Sequence, residues 1–281
     1  MIRKYLELIK FSHTLFALPF ALISMLVAAR GVPEARIVIW ILAAMVSART
    51  MAMAFNRIVD RAVDAQNPRT ASRPSVTGEV SIRGTWVLWG LACGTFLASC
   101  RMLNPLCLAL SPVVIVVLNG YSYAKRFTHW THLWLGLSLG ISPLGAWAAV
   151  TGTLSLEPVP LALAVLLWVA GFDIIYALQD EDFDRGLGLH SLVVRHGARR
   201  ALVFSRLFHA AALALLLGFG GLLKLGPYYF VGVGLVGAAL AVEQSLVSAE
   251  DRSRVNAAFF TANGFVSLSL LAATCLDLFL G

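Results

Sequence analysis

Nine apolar runs recur along this chain, at roughly 11–29, 37–56, 84–101, 105–120, 132–151, 158–178, 200–222, 228–248 and 256–280, and they decide what it can fold into. Most approach the length of about 20 residues that a helix needs to cross the hydrocarbon of a bilayer. In lipid the backbone amides have only each other as partners, so such runs become helices. Composition agrees, with 59% hydrophobic and 13% charged residues and a mean hydropathy of +0.80. Soluble chains carry about a quarter charged residues. The expected fold class is all-α, a polytopic membrane helical bundle of about nine transmembrane helices, with residues 1–281 as one domain. The basic start and first run look superficially like a secretory signal. The run is long enough to span and further runs follow, so it reads as an uncleaved first helix. The split between the third and fourth runs rests on the short polar step from Arg101 to Pro105.

Charge tests the count. With nine spans, one side of the membrane receives Arg3, Lys4, Lys10, Arg57, Arg61, Arg69, Arg73, Arg83, Lys125, Arg126, Arg185, Arg195, Arg199, Arg200, Arg252 and Arg254. The other receives Arg30, Arg36, Arg101 and Lys224. The positive-inside rule makes the first side cytoplasmic. The net charge of +7 belongs to these loops, where it sets topology and attracts anionic lipid or anionic substrates; it does not point to nucleic acid. Cys93, Cys100, Cys107 and Cys275 lie in or beside apolar runs and read as packing residues.

Acidic residues are scarce, 15 in all, and two places concentrate them. Asn56, Asp60 and Asp64 are spaced four apart where the second run gives way to a polar loop. On a helix that spacing stacks them on one face. Asp180 and Asp184, with Asp182 between, repeat the pattern after the sixth run. Stacked carboxylates repel unless a cation joins them, and oxygen-only ligands favour Mg²⁺ over Zn²⁺. The plainer alternative is a solvated helix face neutralised by Arg57 and Arg61. A second acidic pair at a second membrane exit favours a two-metal site for a diphosphate. Both pairs fall on the cytoplasmic side with a third, basic and aromatic loop, YSYAKRFTHWTH at 121–132.

The string NRIVDRAVDAQNPRTASRP, followed by YSYAKR and then YALQDEDFDR, resembles the signatures of the UbiA family of membrane prenyltransferases in their order along the chain. IKFSHTLFALPFAL and ARTMAMAFNR are most similar to its 4-hydroxybenzoate polyprenyltransferase branch and related menaquinone-pathway enzymes. The resemblance implies Mg²⁺-dependent transfer of a polyprenyl group from its diphosphate to an aromatic acid, 4-hydroxybenzoate or a hydroxynaphthoate, in quinone biosynthesis. It also implies an integral protein of a bacterial inner membrane with its active site facing the cytoplasm. Isoprenoid length, the identity of the acceptor and oligomeric state stay open at this stage.

On that resemblance Asp60, Asp64, Asp180 and Asp184 would hold the metals, with Asn56 as a neutral oxygen ligand or a group behind them. Arg69, Arg73 and Lys125 would bind diphosphate oxygens, although Arg69 and Arg73 also fit ordinary positive-inside charge. Tyr121 and Tyr123 would shield an allylic cation with their ring faces, or serve as interfacial belt residues. Arg49, roughly 10 Å deeper than Asn56 at 1.5 Å per residue, would bind the acceptor carboxylate, and Asp173 would orient the phenol or take a proton. The structural alternative pairs Arg49 with Asp173. His13 and His209 are expected to be packed and hydrogen-bonded rather than catalytic. Rival readings are another prenyl acceptor (a haem, a chlorin or a glycerol-type lipid) or a cation-coupled transporter. Transporters put coupling residues near the midplane, whereas these acids sit at one interface.

Overall fold

The computed structural model describes residues 2–8, 14–257 and 262–281, and among them all regular structure is helical. Nine long helices follow in order: α1 Thr14–Ala29, α2 Ala35–Val59, α3 Ile82–Leu103, α4 Pro105–Gly120, α5 Thr131–Thr151, α6 Val159–Ala177, α7 Leu192–Leu223, α8 Pro227–Ser245 and α9 Asn263–Leu280. Each of them overlaps one expected run, residues 11–13 and 258–261 of the first and last runs lying outside the described residues. Seven are long and apolar enough to cross a membrane, whereas α1 and α8 fall outside that set, so nine is an approximate count of spans. His13, with Lys10 and Ser12, lies outside the described residues.

Local chemistry explains the boundaries. Between α3 and α4 the backbone of Asn104 is extended, and its Oδ1 accepts from the Cys107 N–H at 2.9 Å, so the short polar step is an N-cap followed by a proline. The start of α7 differs from expectation: it lies at Leu192, not near 200. Ser191 caps it by accepting from the Val194 N–H at 3.0 Å. The polar string after it is helical but invisible to hydropathy, and Gly197 at φ 75° breaks the helical backbone within it.

The chain forms two compact units. The first comprises residues up to 14 together with 34–123. There α2 packs along α3, with α4 against both. Met51, Ala92 and Leu118 meet at the centre. The second unit comprises residues 15–33 and 124–281. Its axis is α6, buried along most of its length and packed on α5 and α7. Phe16, Phe20 and Ile23 of α1 join the same core as Trp168 and Phe172. Close approach of α5 to α6 depends on glycine. A Cβ at Gly136 would overlap the Leu166 carbonyl, and one at Gly140 would come within 2.7 Å of the Ala162 carbonyl oxygen. Large apolar side chains such as Val87, Leu91, Val116 and Leu207 stay exposed, as lipid-facing residues do. The four cysteines are free thiols on or within these helices, as expected.

Candidate active site

Each acidic segment begins where a long helix loses its regular backbone. α2 stops at Val59, Asp60 takes φ −92° and ψ 2°, and a short helix Arg61–Asp64 resumes. The expected stack survives in part, because the Asp64 N–H still donates to the Asp60 carbonyl at 2.7 Å. The Asn56 amide donates to Asp60 Oδ2 at 2.6 Å, and its own oxygen accepts from Arg57 Nη1 at 3.1 Å, which holds Asp60 from behind.

Asp64 is buried, and Arg73 Nη1 reaches its Oδ2 at 2.6 Å. Arg57 is buried too, with Nε on the Leu8 carbonyl at 3.1 Å and Nη1 3.9 Å from Asp64 Oδ2. The plainer reading of a solvated, arginine-neutralised face therefore fails for Arg57 and Asp64. It fits Arg61 better, which is exposed and donates to the Ser75 carbonyl at 2.9 Å. Thr70 donates to the Asp64 carbonyl at 2.9 Å, tying the loop back onto the short helix. Arg69 is exposed, its N–H on Asn67 Oδ1 at 2.9 Å.

The second acidic segment repeats the design. α6 tightens into a 3₁₀ turn, Leu178–Asp180, before the short helix Glu181–Gly186. Asp180 and Asp184 are both buried, whereas Asp182 is exposed. Lys125 Nζ lies 2.7 Å from Asp184 Oδ2. Lys125 belongs to a 3₁₀ helix, Tyr121–Arg126, rather than a loose loop, and its carbonyl accepts from the His190 N–H at 2.7 Å. Arg252 fastens the turn from a distant part of the chain, bonding the Leu178 carbonyl at 2.8 Å and Glu181 Oε2 at 2.7 Å. Beside them the rings of His129 and His190 lie 4.7 Å apart. Partial burial, then the charge of Arg195, pushes the His129 imidazole below its ordinary range.

The remaining expected residues divide between the units. Tyr121 is half-buried at the end of α4, and exposed Tyr123 packs edge-on against Phe55 at 6.0 Å. Arg49 is half-buried on α2. Asp173 Oδ2 lies 2.7 Å from His132 Nδ1. His209 is packed and hydrogen-bonded as expected, to the Trp168 carbonyl at 3.2 Å and to Gln244 at 3.0 Å.

Sequence reasoning passed over Arg57 as a buried partner, though its position two helical turns before Asp64 was a usable signal. It also passed over His132 and Arg252, whose partners lie 41 and over 70 residues away. Among the described residues neither acidic end gathers three carboxylate, histidine or cysteine ligands by itself.

Residues 17–267 match the UbiA prenyltransferase family. A protein of Alkalilimnicola ehrlichii named 4-hydroxybenzoate octaprenyltransferase is 31% identical over 259 residues, covering 91% of this chain and 86% of that protein. The apo structure of a UbiA homologue from Aeropyrum pernix K1 superposes with a TM-score of 0.87 at 36% identity, covering 95% of this chain and 98% of the other. A UbiA homologue from Archaeoglobus fulgidus, solved with DMAPP and Mg²⁺, shares the fold at a TM-score of 0.76 and 21% identity, covering 98% and 99%.

Proposed function

Because this chain belongs to the UbiA prenyltransferase family, and is thus a membrane-embedded transferase, we propose that it moves a polyprenyl group from polyprenyl diphosphate to an aromatic acid. The acceptor is 4-hydroxybenzoate or a hydroxynaphthoate, the metal is Mg²⁺, and the product feeds quinone biosynthesis. The active site opens to the cytoplasm from a bacterial inner membrane, and residues 1–281 act as one functional domain. The Alkalilimnicola relative's name supports the acceptor class and a long prenyl chain. The ligands of the Archaeoglobus homologue support the metal and the diphosphate. One observation carries the reading. Asp64 and Asp184, each buried just past the end of a membrane helix, each already meet a cationic side chain at 2.6–2.7 Å.

Asp60, Asp64, Asp180 and Asp184 would hold Mg²⁺, an oxygen donor set of the right hardness. Bound Mg²⁺ supplies positive charge to the departing diphosphate. Arg73, Arg69 and Lys125 bind its outer oxygens, the arginines as forks and the lysine as a point charge. Tyr121 and Tyr123 turn ring faces to the allylic cation. Arg49 receives the acceptor carboxylate, and Asp173 takes the proton that the substituted ring loses.

Membranes containing the protein, a radiolabelled polyprenyl diphosphate, Mg²⁺ and a panel of phenolic and naphthoic acids provide the test. Label should move into an organic-soluble prenylated acid, and Asp60→Asn or Asp180→Asn should lower turnover by about a hundredfold or more. Transfer only to an acceptor without a carboxylate would overturn the reading, as would undiminished turnover in both variants.

A further inference from the structure

His132 stands on the first turn of α5 and reaches across to α6, where its Nδ1 lies 2.7 Å from Asp173 Oδ2. The imidazole has no solvent exposure, whereas the Asp173 side chain keeps 21%. Among the described residues His132 Nε2 is buried and has no hydrogen-bond partner. A carboxylate oxygen accepts, so the ring nitrogen that faces it, Nδ1, carries a proton and donates. The contact is rigidly held, because Gly136 and Gly140, one and two turns along α5, seat that helix directly on the α6 backbone.

Asp173 and Tyr176 are half-buried polar residues on α6 among buried Phe172, Ile174, Ile175 and Ala177, and Asp180 follows in the 3₁₀ turn. Lys125 lies within electrostatic reach of Asp184, Asp180 and Asp173 together. Asp173 therefore belongs to the charged end of this unit, and His132 lies behind it.

We propose that His132 is a positioning residue for prenyl transfer: by donating Nδ1–H to Asp173 Oδ2, it fixes the carboxylate so that Oδ1 receives the proton released from the acceptor ring. This role rests on the function proposed above. In that step the bond from allylic carbon to diphosphate oxygen breaks, diphosphate leaves with the electron pair, and the ring carbon then bonds to the allylic cation. The ring C–H bond then returns its electron pair to the ring, and its proton passes to Asp173, which becomes a neutral acid. His132 touches neither substrate nor diphosphate; it keeps the acceptor oxygen aimed.

The test joins a spectroscopic readout to kinetics. In protein carrying ¹⁵N-histidine in lipid nanodiscs, the His132 signals are assigned by their loss in His132→Asn. They should report a protonated Nδ1 in the wild type and lose that preference in Asp173→Ala. His132→Asn, which keeps a short N–H donor, should retain most of kcat. His132→Leu should lose about tenfold to a hundredfold in kcat, the scale of a misplaced catalytic group, with the KM for polyprenyl diphosphate unchanged. In an Asp173→Ala background, His132→Leu should cost nothing further. A tautomer indifferent to Asp173→Ala, equal losses in the Asn and Leu variants, or additive losses would each overturn this role while leaving the proposed function standing. Failure of the wild type to prenylate any phenolic acid would instead overturn the proposed function, and this role with it, whatever the tautomer.

Discussion

Asp64 and Asp184 occupy the same place in the two acidic segments, four residues after Asp60 and Asp180, and both sit in the interior. A buried carboxylate is tolerable only while something positive faces it. For Asp64 the nearest cation is Arg73, whose side chain keeps 23% exposure, so the cost of removing it is softened by water. Arg73→Ala should lower the unfolding free energy in detergent by about 1–3 kcal/mol. Adding Asp64→Asn should restore part of that loss, because the charge left facing only Arg57, at 3.9 Å, disappears. A double variant no more stable than Arg73→Ala would show that the pair does not share this burden. Arg49 is expected to discriminate between substrates. A charge-assisted hydrogen bond is worth about 1.5–3 kcal/mol, roughly tenfold to a hundredfold in affinity. Arg49→Lys keeps the charge but loses the fork, so it should raise the KM for the aromatic acid and spare that for polyprenyl diphosphate. An ester of the acid should be a poor substrate for the wild type. Equal weakening of both substrates would make Arg49 a structural residue.

At the scale of helices, α5 and α6 depend on two glycines in contact and tolerate a third that is not. A methyl at Gly136 would collide with the Leu166 carbonyl, whereas one at Gly145, farther along α5, would meet nothing within 4 Å. Gly136→Ala should cost about 1–3 kcal/mol of stability. Gly145→Ala should be neutral or stabilising by about 0.5–1 kcal/mol, since alanine loses less freedom in a helix. Paired thermal melts would read the difference, and similar midpoints would mean that the helices can part without penalty. Helix boundaries show what the sequence could and could not disclose. Apolar length located every long helix, because lipid leaves backbone amides no other partner. It missed the first turns of α7, whose arginines look like loop to hydropathy although Ser191 caps them as helix. The acidic pairs were legible as a repeated spacing, and Lys125 as the basic residue just after two tyrosines. Burial of Arg57 and the pairing of His132 with Asp173 were not. Both depend on which helices touch, and no local pattern records that.

Taken whole, the chain segregates charge by side, and this gives a topological expectation. In a background lacking the four native cysteines, single cysteines at Gln66 and Leu187 should react with an impermeant thiol reagent only once the cytoplasmic face is opened. A cysteine at Leu156 should react from outside. All three positions are exposed, so failure to label would reflect sidedness rather than burial. Labelling of Gln66 or Leu187 in sealed cells would break the assignment of both acidic segments to the cytoplasm. The cations on Asp64 and Asp184 have a further meaning at this scale. On the proposed function each acid rests against a lodger that Mg²⁺ would evict, and the evicted arginine or lysine would then be at hand for the diphosphate. Loading would be an exchange of partners rather than a filling of a vacuum, with charge balanced on either side of it. A chelator should therefore silence turnover completely yet barely move the melting midpoint, and dialysis against Mg²⁺ should return full activity without a refolding step.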